Sequence, residues 1–267
     1  MTAAALPTIA IGEARLEYVR HAGDPARPPV VMLHEGLGAA RHWRDLPATL
    51  AAATGATVIA YSRAGYGAST PLPDGDDPRG PRRGLRRPDF MHREADDVLP
   101  PLLAALGVVR PVLVGHSDGG SIALLHARRH PVAAVIAIAP HVFVEPCSIA
   151  AITAAREAYL HGDLRPRLAR HHADVDGAFW GWNDVWLSAE FRPWDIVADL
   201  ATVEAPVLAI QGDADPYGTM AQVEAIARAC PRTTLRPVAG AGHAPHRDRP
   251  DQVLPAIADA VRRAALG

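Results

Sequence analysis

The sequence predicts an α/β domain built on a mostly parallel sheet. Short apolar runs rich in β-branched residues alternate with longer segments in which apolar residues recur every three or four positions. This alternation is typical of βαβ units, whose helices cover both faces of a parallel sheet. At 267 residues the chain fits a single α/β domain with one main core.

The predicted elements follow in chain order. Residues 8–20 alternate weakly around Gly12-Glu13, which predicts an opening antiparallel hairpin at one sheet edge. Buried strands are predicted at 30–33, 57–61, 112–114, 134–139, 207–210 and 233–238. Helices are predicted at 43–53, 89–106, 119–129, 220–229 and 250–265.

Two segments interrupt the alternation. Residues 71–88 are dense in proline, glycine and arginine, which favours a surface loop; a role in gating substrate or contacting an anion is the alternative. Residues 141–203 lie between two predicted strands and combine a helical pattern at 149–160 with a tryptophan-rich stretch. We therefore expect a core of residues 1–140 and 204–267, with 141–203 inserted as a helical cap.

Composition excludes several classes of function. A formal net charge of −2 offers no field that would gather a nucleic-acid backbone. No apolar run approaches a membrane span, and the first residues do not form a secretory signal, so a cytoplasmic location is expected. The two cysteines, Cys147 and Cys230, fit neither a disulfide framework nor a metal site, and no cofactor motif is present.

The strongest chemical signal is the stretch Gly115-His116-Ser117-Asp118-Gly119, which follows a predicted strand and opens a predicted helix. This is the context of a nucleophile elbow, a turn so tight that the serine backbone is strained. The residues two positions before and after the serine must be glycine, because larger side chains would collide across the turn. The pattern predicts Ser117 as the nucleophile. It also places the backbone N–H of Asp118 at the positive start of a helix, where it can stabilise an oxyanion.

A second oxyanion donor is expected in the loop after the strand at 30–33. The usual pattern there is His-Gly and then the donor residue, whereas this chain has His34-Glu35-Gly36. We assign the donor to the backbone N–H of Gly36. Glu35 occupies the position where glycine is expected, and two alternatives stay open: it lines the pocket, or it is paired structurally outside it.

Serine requires a histidine to accept its proton and a carboxylate to orient that histidine. His243 lies in the glycine-rich loop after the last predicted strand, from which a side chain can reach the elbow. Asp215 lies in Gly212-Asp213-Ala214-Asp215-Pro216, after the strand at 207–210, and is favoured over Asp213, which is expected to hold the turn.

Five motifs occur in one order along the chain: HEGLG at 34–38, SRAGYGAS at 62–69, GHSDGG at 115–120, GDADP at 212–216 and GAGH at 240–243. In these motifs the sequence resembles the α/β-hydrolase superfamily, and specifically an esterase-like member with a serine nucleophile. The resemblance implies an eight-stranded, mostly parallel sheet flanked by helices, a small helical cap after the sixth strand, and a metal-free triad of Ser117, Asp215 and His243. Superfamily members with an aspartate at the elbow are excluded.

Residues outside the triad are candidates for substrate binding. Tryptophans of the insert are able to roof the pocket, although packing within a small cap explains such aromatics equally well. The candidates for substrate contact are Glu35, His34, His141, Trp180, Trp182 and Trp186.

The motifs predict hydrolysis of a small carboxylic ester through an acyl-serine intermediate, with a small ester-like molecule as the partner. A thioesterase or a carbon–carbon bond hydrolase with the same triad is one alternative, because this fold hosts many substrates. A non-catalytic ligand-binding protein is an alternative of another class. Whether the protein is a monomer or a homodimer is left open by the sequence.

Overall fold

The computed structural model describes residues 5–73 and 86–266. Most of the segment predicted as a surface loop at 71–88 therefore lies outside the described residues. The sheet has eight strands in the order β1-β2-β4-β3-β5-β6-β7-β8. The strands are β1 (Thr8–Ile11), β2 (Ala14–His21), β3 (Val30–Leu33), β4 (Val58–Tyr61), β5 (Val112–His116), β6 (Ala134–Ile138), β7 (Val207–Gly212) and β8 (Thr233–Val238).

The sheet is antiparallel only at its first edge. β1 and β2 form the predicted hairpin, which turns at Gly12 with φ of 57°. β2 pairs antiparallel with β4, and all later neighbours pair parallel. The prediction of a mostly parallel eight-stranded sheet is confirmed, and the carboxyl ends of β3, β5, β6, β7 and β8 consequently share one edge.

Helices connect the strands on both sides of the sheet. They are α1 (Leu46–Thr54), α2 (Phe90–Arg93), α3 (Leu99–Ala105), α4 (Asp118–Ala127), α5 (Pro146–His161), α6 (Leu164–Leu168), α7 (Val175–Leu187), α8 (Met220–Ala229), α9 (Pro245–Asp248) and α10 (Pro250–Ala264). Short 3₁₀ helices at Ala40–Trp43 and Ala198–Thr202 and a π turn at Glu94–Val98 complete the helical segments.

Two predicted helices are interrupted. The helical stretch predicted over 89–106 is helical from Phe90 to Ala105, with the π turn Glu94–Val98 between α2 and α3. Pro100 and Pro101 carry no amide hydrogen and cannot serve the carbonyl groups four residues earlier, which explains the wider turn before them. The helix predicted at 43–53 begins later, since Arg44 has a φ of 52° between a 3₁₀ helix and α1.

The sheet separates two apolar layers. On one face, α1 and α10 cover the sheet through Leu50, Val253 and Ile257, all of which are buried. The other face is covered by α2, α3, α4 and α8, and its apolar cluster continues into the segment between β6 and β7. The elbow after β5 therefore stands on a sheet that is packed from both sides.

Three helices, α5 to α7, lie between β6 and β7, and we call residues 141–203 the helical insert. Its two ends pair with each other through an isolated antiparallel bridge between Phe143 and Asp195. Its interior is aromatic: the rings of Tyr159 and Phe179 stack with centroids 3.6 Å apart. Arg156 on α5 donates to Asn183 on α7 at 2.7 Å. The treatment of this insert as a separate cap domain stays a prediction.

Candidate active site

Ser117 lies at the turn between β5 and α4 in a strained backbone conformation. Its φ is 53° and its ψ is −121°, in a region that non-glycine residues rarely adopt. The turn is held by the Ser117 N–H, which donates to the carbonyl of Ile138 at 2.8 Å, and by the Gly120 N–H, which donates back to Ser117. This geometry presents the hydroxyl at the carboxyl edge of the sheet.

Two glycines make the turn possible because the chain segments around it nearly touch. A Cβ atom on Gly115 would lie 2.1 Å from the carbonyl oxygen of Gly119. A Cβ atom on Gly119 would lie 2.1 Å from the carbonyl oxygen of Leu33, in the neighbouring strand. Both distances are far below van der Waals contact, so only glycine fits at either position.

His243 and Asp215 form a hydrogen-bonded pair beside the elbow. The Nδ1 of His243 donates to Asp215 Oδ2 at 2.8 Å. The carboxylate also accepts from the side chain of Gln211 and from the Tyr217 N–H, each at 2.8 Å. Burial favours the protonated acid, yet the His243 and Tyr217 bonds outweigh it and hold the pKa of Asp215 below its ordinary value. Asp215 is therefore an ionised carboxylate, and its hydrogen bond fixes one tautomer of His243.

Of the two aspartates in the loop after β7, only Asp215 reaches the imidazole. Asp213 instead accepts a hydrogen bond from the Gly240 N–H at 2.7 Å and ties its loop to the one after β8. The two carboxylates, two residues apart in sequence, thus serve different loops.

Ser117 and His243 line one cavity of about 110 Å³. The Ser117 hydroxyl makes no hydrogen bond to any other described residue, as is common in unliganded sites where such bonds tighten only with substrate. The remaining wall comes from the loop after β3, the start of α4, the insert and the loop after β7. It consists of Glu35, Gly36, Leu37, Asp118, His141, Ile152, Trp182, Trp186 and Tyr217.

Two backbone amides on this wall lack acceptors. Within the described part of the chain, neither the N–H of Gly36 nor that of Asp118 donates a hydrogen bond. Both residues line the cavity, and Asp118 is the first residue of α4, where the helix carries its partial positive charge. Two unpaired N–H groups beside one hydroxyl form an arrangement that can bind a developing negative charge.

The direction of the Gly36 amide is set by the carbonyl of Glu35. That oxygen accepts three hydrogen bonds: from the Gly38 N–H at 3.0 Å, from His34 Nδ1 at 2.7 Å and from Arg63 Nη2 at 3.1 Å. The carbonyl and the following N–H lie in one rigid plane and point in opposite directions. Fixing the oxygen therefore fixes the orientation of the Gly36 N–H.

A buried ion pair lies behind these amides. The Arg63 guanidinium lies 3.9 Å from the carboxylate of Asp118, and both side chains are 1% exposed. Burial raises the pKa of Asp118 above its ordinary value, while Arg63 opposes that rise. One guanidinium thus contacts both residues adjoining the two unpaired amides, through the Glu35 carbonyl and the Asp118 side chain.

The structure brings most predicted substrate residues to the cavity but differs for two. His34 is fully buried and does not line it, because Nδ1 donates to the Glu35 carbonyl and Nε2 accepts from the Arg63 N–H at 3.1 Å. Trp180 packs edge-on against Tyr159 inside the insert, with ring centroids 5.7 Å apart. His34 and Trp180 do not line this cavity, and their substrate contacts stay a prediction.

His141, Trp182 and Trp186 do reach the cavity. The rings of His141 and Trp186 meet edge to face at 5.0 Å. Burial and the nearby His243 lower the pKa of His141 to about 3, so this imidazole is neutral at physiological pH. The Trp182 indole lies directly against the loop after β3, since a Cβ atom on Gly36 would come within 2.2 Å of its Nε1.

Several residues of the site carried no clear sequence signal. Leu37, Ile152 and Tyr217 line the cavity, and Tyr217 was within reach of sequence reasoning because it follows Asp215 by two residues. His172 is 5% exposed. It donates from Nε2 to the Leu37 carbonyl at 3.0 Å and accepts from the Gly67 N–H at 3.0 Å, joining the insert to two core loops.

Two searches of the described residues returned nothing. No group of three or more histidine, cysteine, aspartate or glutamate side chains in residues 5–73 and 86–266 is arranged to hold a metal ion. Among the helices of the same ranges, none has both the length and the apolar character needed to cross a bilayer.

Known proteins are similar to this chain in sequence. The model of the alpha/beta hydrolase family matches residues 30–256. The sn-1-specific diacylglycerol lipase ABHD11 of Mus musculus is 25% identical over an alignment of 271 positions. The alignment covers 91% of this chain and 83% of the relative.

Solved structures share the fold. A carboxylesterase structure from the thaumarchaeon Nitrososphaera gargenis has a TM-score of 0.76 at 20% identity, covering 97% of this chain and 98% of the other. The enol-lactonase from Burkholderia xenovorans has a TM-score of 0.72 at 21% identity, covering 96% and 99%. The family match spans strands β3 to β8, the elbow and the loops of Asp215 and His243, and the chain therefore belongs to the alpha/beta hydrolase family and is a hydrolase.

Proposed function

We propose that this protein hydrolyses small carboxylic esters through an acyl-enzyme intermediate on Ser117. The observation that carries the proposal is the convergence on one cavity of a strained serine, a histidine bonded to an ionised aspartate, and two unpaired backbone amides. These are the parts that acyl transfer requires: a nucleophile, a base with its orienting acid, and a site for the oxyanion.

In the acylation step His243 Nε2 accepts the proton of the Ser117 hydroxyl as the oxygen attacks the ester carbonyl. The N–H groups of Gly36 and Asp118 bind the oxyanion of the tetrahedral intermediate. Asp215 keeps Nδ1 protonated and stabilises the imidazolium. His243 then returns the proton to the leaving alkoxide, and the acyl group stays on Ser117.

Deacylation repeats the sequence with water as the nucleophile. His243 accepts a proton from the water, the hydroxide attacks the acyl-serine carbonyl, and the same two amides bind the second oxyanion. Collapse of that intermediate releases the carboxylic acid and restores the Ser117 hydroxyl. One His243 side chain thus acts as base and then as acid in each half-reaction.

The cavity favours a short acyl group. Its volume of about 110 Å³ is well below the ~300–1,000 Å³ of sites that bury drug-sized ligands. Ile152, Trp182 and Trp186 make its insert wall apolar and rigid. The names of the matched relatives also point to ester-type bonds: a diacylglycerol lipase, carboxylesterases and an enol-lactonase.

No observation favours a thioester or carbon–carbon substrate over an ester. Arg86 belongs to the arginine-rich segment at 71–88. It donates to the carbonyl of Ala64 at 2.9 Å and lies over the Tyr66 ring, so the core holds this side chain. Arg79, Arg82 and Arg83 lie outside the described residues.

A fluorophosphonate probe followed by peptide mapping tests the proposal. We expect one adduct, on Ser117, together with turnover of short aryl esters that Ser117→Ala reduces by about 10⁴-fold or more. Ser188→Ala, at the end of α7 and outside the cavity, is the matched control and should leave both readouts unchanged. An adduct on another residue, or undiminished activity of Ser117→Ala, would refute it. A large preference for acyl-CoA over aryl ester would move the substrate to the thioester class.

A further inference from the structure

Glu35 is the charged residue at the site that no proposed step uses. Its carboxylate spans two loops: Oε2 lies 3.5 Å from Nδ1 of His116, and Oε1 lies 3.7 Å from Nη2 of Arg247. The side chain is 19% exposed and folds back over its own loop, where a Cβ atom on Gly38 would come within 2.4 Å of Oε2. The carboxylate of this cavity-lining residue therefore faces His116.

His116, the residue before the nucleophile, connects Glu35 to the histidine loop. Its Nε2 donates to the backbone carbonyl of His243 at 2.6 Å. A carbonyl oxygen only accepts hydrogen bonds, so Nε2 carries a proton. The other ring nitrogen faces a carboxylate, which also only accepts. His116 thus has an acceptor on each side of a side chain that is 3% exposed, with Nε2 hydrogen-bonded to the His243 carbonyl and Nδ1 facing the Glu35 carboxylate.

In the described part of the chain, aromatic rings surround His116. Those of Trp43, His243 and His246 have centroids at 6.3, 5.1 and 4.8 Å from its own. Burial lowers the pKa of His246 well below its ordinary value, so that imidazole is neutral. Arg247 contacts the opposite oxygen of the Glu35 carboxylate.

The charge state of Glu35 agrees with this geometry. Burial favours its protonated form, but the hydrogen bond and charge of His116, together with Arg247, outweigh burial and hold the pKa of Glu35 well below its ordinary value. The carboxylate is ionised at neutral pH. Glu35 is therefore available as a negative partner for the His116 ring.

We infer that Glu35 and His116 form a positioning pair for His243: the carboxylate faces Nδ1 of His116 and holds the ring in place, and the His116 Nε2–H holds the backbone carbonyl of His243. This inference rests on the proposed function. His243 is held by its side chain at Asp215 and by its main chain at His116, so two anchors place the imidazole over Ser117. Displacement of a catalytic group by about 1 Å can cost about 10²-fold in rate.

The pair also couples the oxyanion loop to the histidine loop. The backbone carbonyl of Glu35 belongs to the peptide that ends in the Gly36 N–H, and Arg63 holds that carbonyl. The side chain of Glu35 contacts His116. A substitution that preserves the backbone and alters only the side chain separates these two roles. Glu35→Gln is such a substitution, because it keeps the shape and an acceptor oxygen but removes the charge.

The first experiment measures the rate of fluorophosphonate labelling and the kcat and KM for a short aryl ester. For Glu35→Gln and His116→Gln we expect the labelling rate and kcat to fall about tenfold to a hundredfold, while KM changes less than about threefold. A purely structural role would instead lower Tm and the active fraction and leave kcat per active site unchanged. Glu190→Gln, an exposed acid outside the cavity, is the matched control and should equal the wild type.

The second experiment reads the pair without catalysis. In Ser117→Ala protein labelled with ¹⁵N-histidine, we expect Nε2 of His116 to carry a proton, and we expect Glu35→Gln to shift the Nδ1 resonance of His116. A His116 without a proton on Nε2, an Nδ1 resonance that Glu35→Gln leaves unchanged, or a Glu35→Gln protein with wild-type kcat and labelling rate would overturn the positioning pair alone. Absence of labelling at Ser117 in the wild type would overturn the proposed function and the positioning role with it.

Discussion

The loops at the carboxyl edge of the sheet and the helical insert form the same cavity by different physical means. The sheet-edge loops contribute backbone groups, glycines and short hydrogen bonds, as in the Gly36 and Asp118 amides and the His243–Asp215 pair. The insert contributes aromatic surface, with Trp182 and Trp186 as its main contacts. Under the proposed function, the reaction type depends on the backbone geometry of the sheet-edge loops, whereas substrate choice depends on how the helical insert lies against them.

The two regions also differ in their tolerance of change. At the sheet edge a single methyl group on Gly115 or Gly119 would enter the position of a backbone oxygen. In the insert, side chains meet side chains, and substitution changes the cavity shape without changing the turn that presents Ser117. Substitutions in the first region should lower kcat, and substitutions in the second should change which ester is preferred.

Asp215→Asn should have the largest effect, and it tests the sheet-edge side of the comparison. The amide removes the negative charge and leaves His243 in the wrong tautomer, so we expect kcat for a short aryl ester to fall about 10⁴-fold. Asp213→Asn is the matched control, because Asp213 bonds only the Gly240 N–H, and kcat should stay within about threefold. Equal losses in the two variants, measured by steady-state kinetics, would contradict the assignment.

Gly119→Ala should follow in size. The new Cβ would meet the carbonyl of Leu33 at 2.1 Å, forcing α4 away from β3 and disturbing the elbow. We expect a loss of about 2–4 kcal/mol of stability and at least about a hundredfold in kcat. Gly107→Ala, whose Cβ meets nothing within 4 Å but whose φ is 68°, controls for backbone strain and should cost only about 1 kcal/mol with unchanged kcat. Denaturant unfolding and kinetics measure both.

Trp182→Phe should have a moderate effect that concerns selectivity. The smaller ring enlarges the cavity, so we expect the ratio of kcat/KM for a longer over a shorter acyl ester to rise about tenfold. Trp180→Phe, which alters a ring outside the cavity, should leave that ratio unchanged. If both tryptophans change the ratio equally, or neither does, the insert does not control substrate choice.

The smallest predicted effect is on the pH dependence of stability. Burial lowers the pKa of His126 on α4 to about 4, so the folded state keeps it neutral while the unfolded state protonates near its ordinary 6.5. The contribution of His126 is complete above pH 6.5 and is lost between about 6.5 and 4. The slope of unfolding free energy with pH in this window should fall by up to about 1.4 kcal/mol per pH unit in His126→Gln. An unchanged slope in urea titrations would contradict this.

Sequence reasoning reached furthest where structure is encoded locally. The order of strands and helices and the elbow depend on residues within a few positions of a strand end. The structure places Ser117 and His243 on one cavity and bonds His243 to Asp215, while their catalytic roles stay a proposal. Element boundaries shifted by one or two residues, as where β5 continues to His116 and into the elbow.

Contacts between distant segments of the chain could not be predicted from the sequence. His34 stands in a motif that suggests a pocket, yet its Nε2 is taken by the amide of Arg63, 29 positions later. Trp180 and Trp182 are separated by one residue, and the helix places one inside the insert and the other against Gly36. Such outcomes depend on the packing of α5 against α7 and of the insert against the core, which no local pattern reports.

The most direct measurement of the central claim is to trap the acyl-enzyme. Mixing the protein with an activated short-chain ester, quenching in acid and mapping the peptides should locate one acyl group on Ser117, formed in a burst of one product per active site. In Asp215→Asn the burst should slow by the same factor as kcat. Multiple turnovers without any acylated Ser117, or an acyl group on a different residue, would contradict the account.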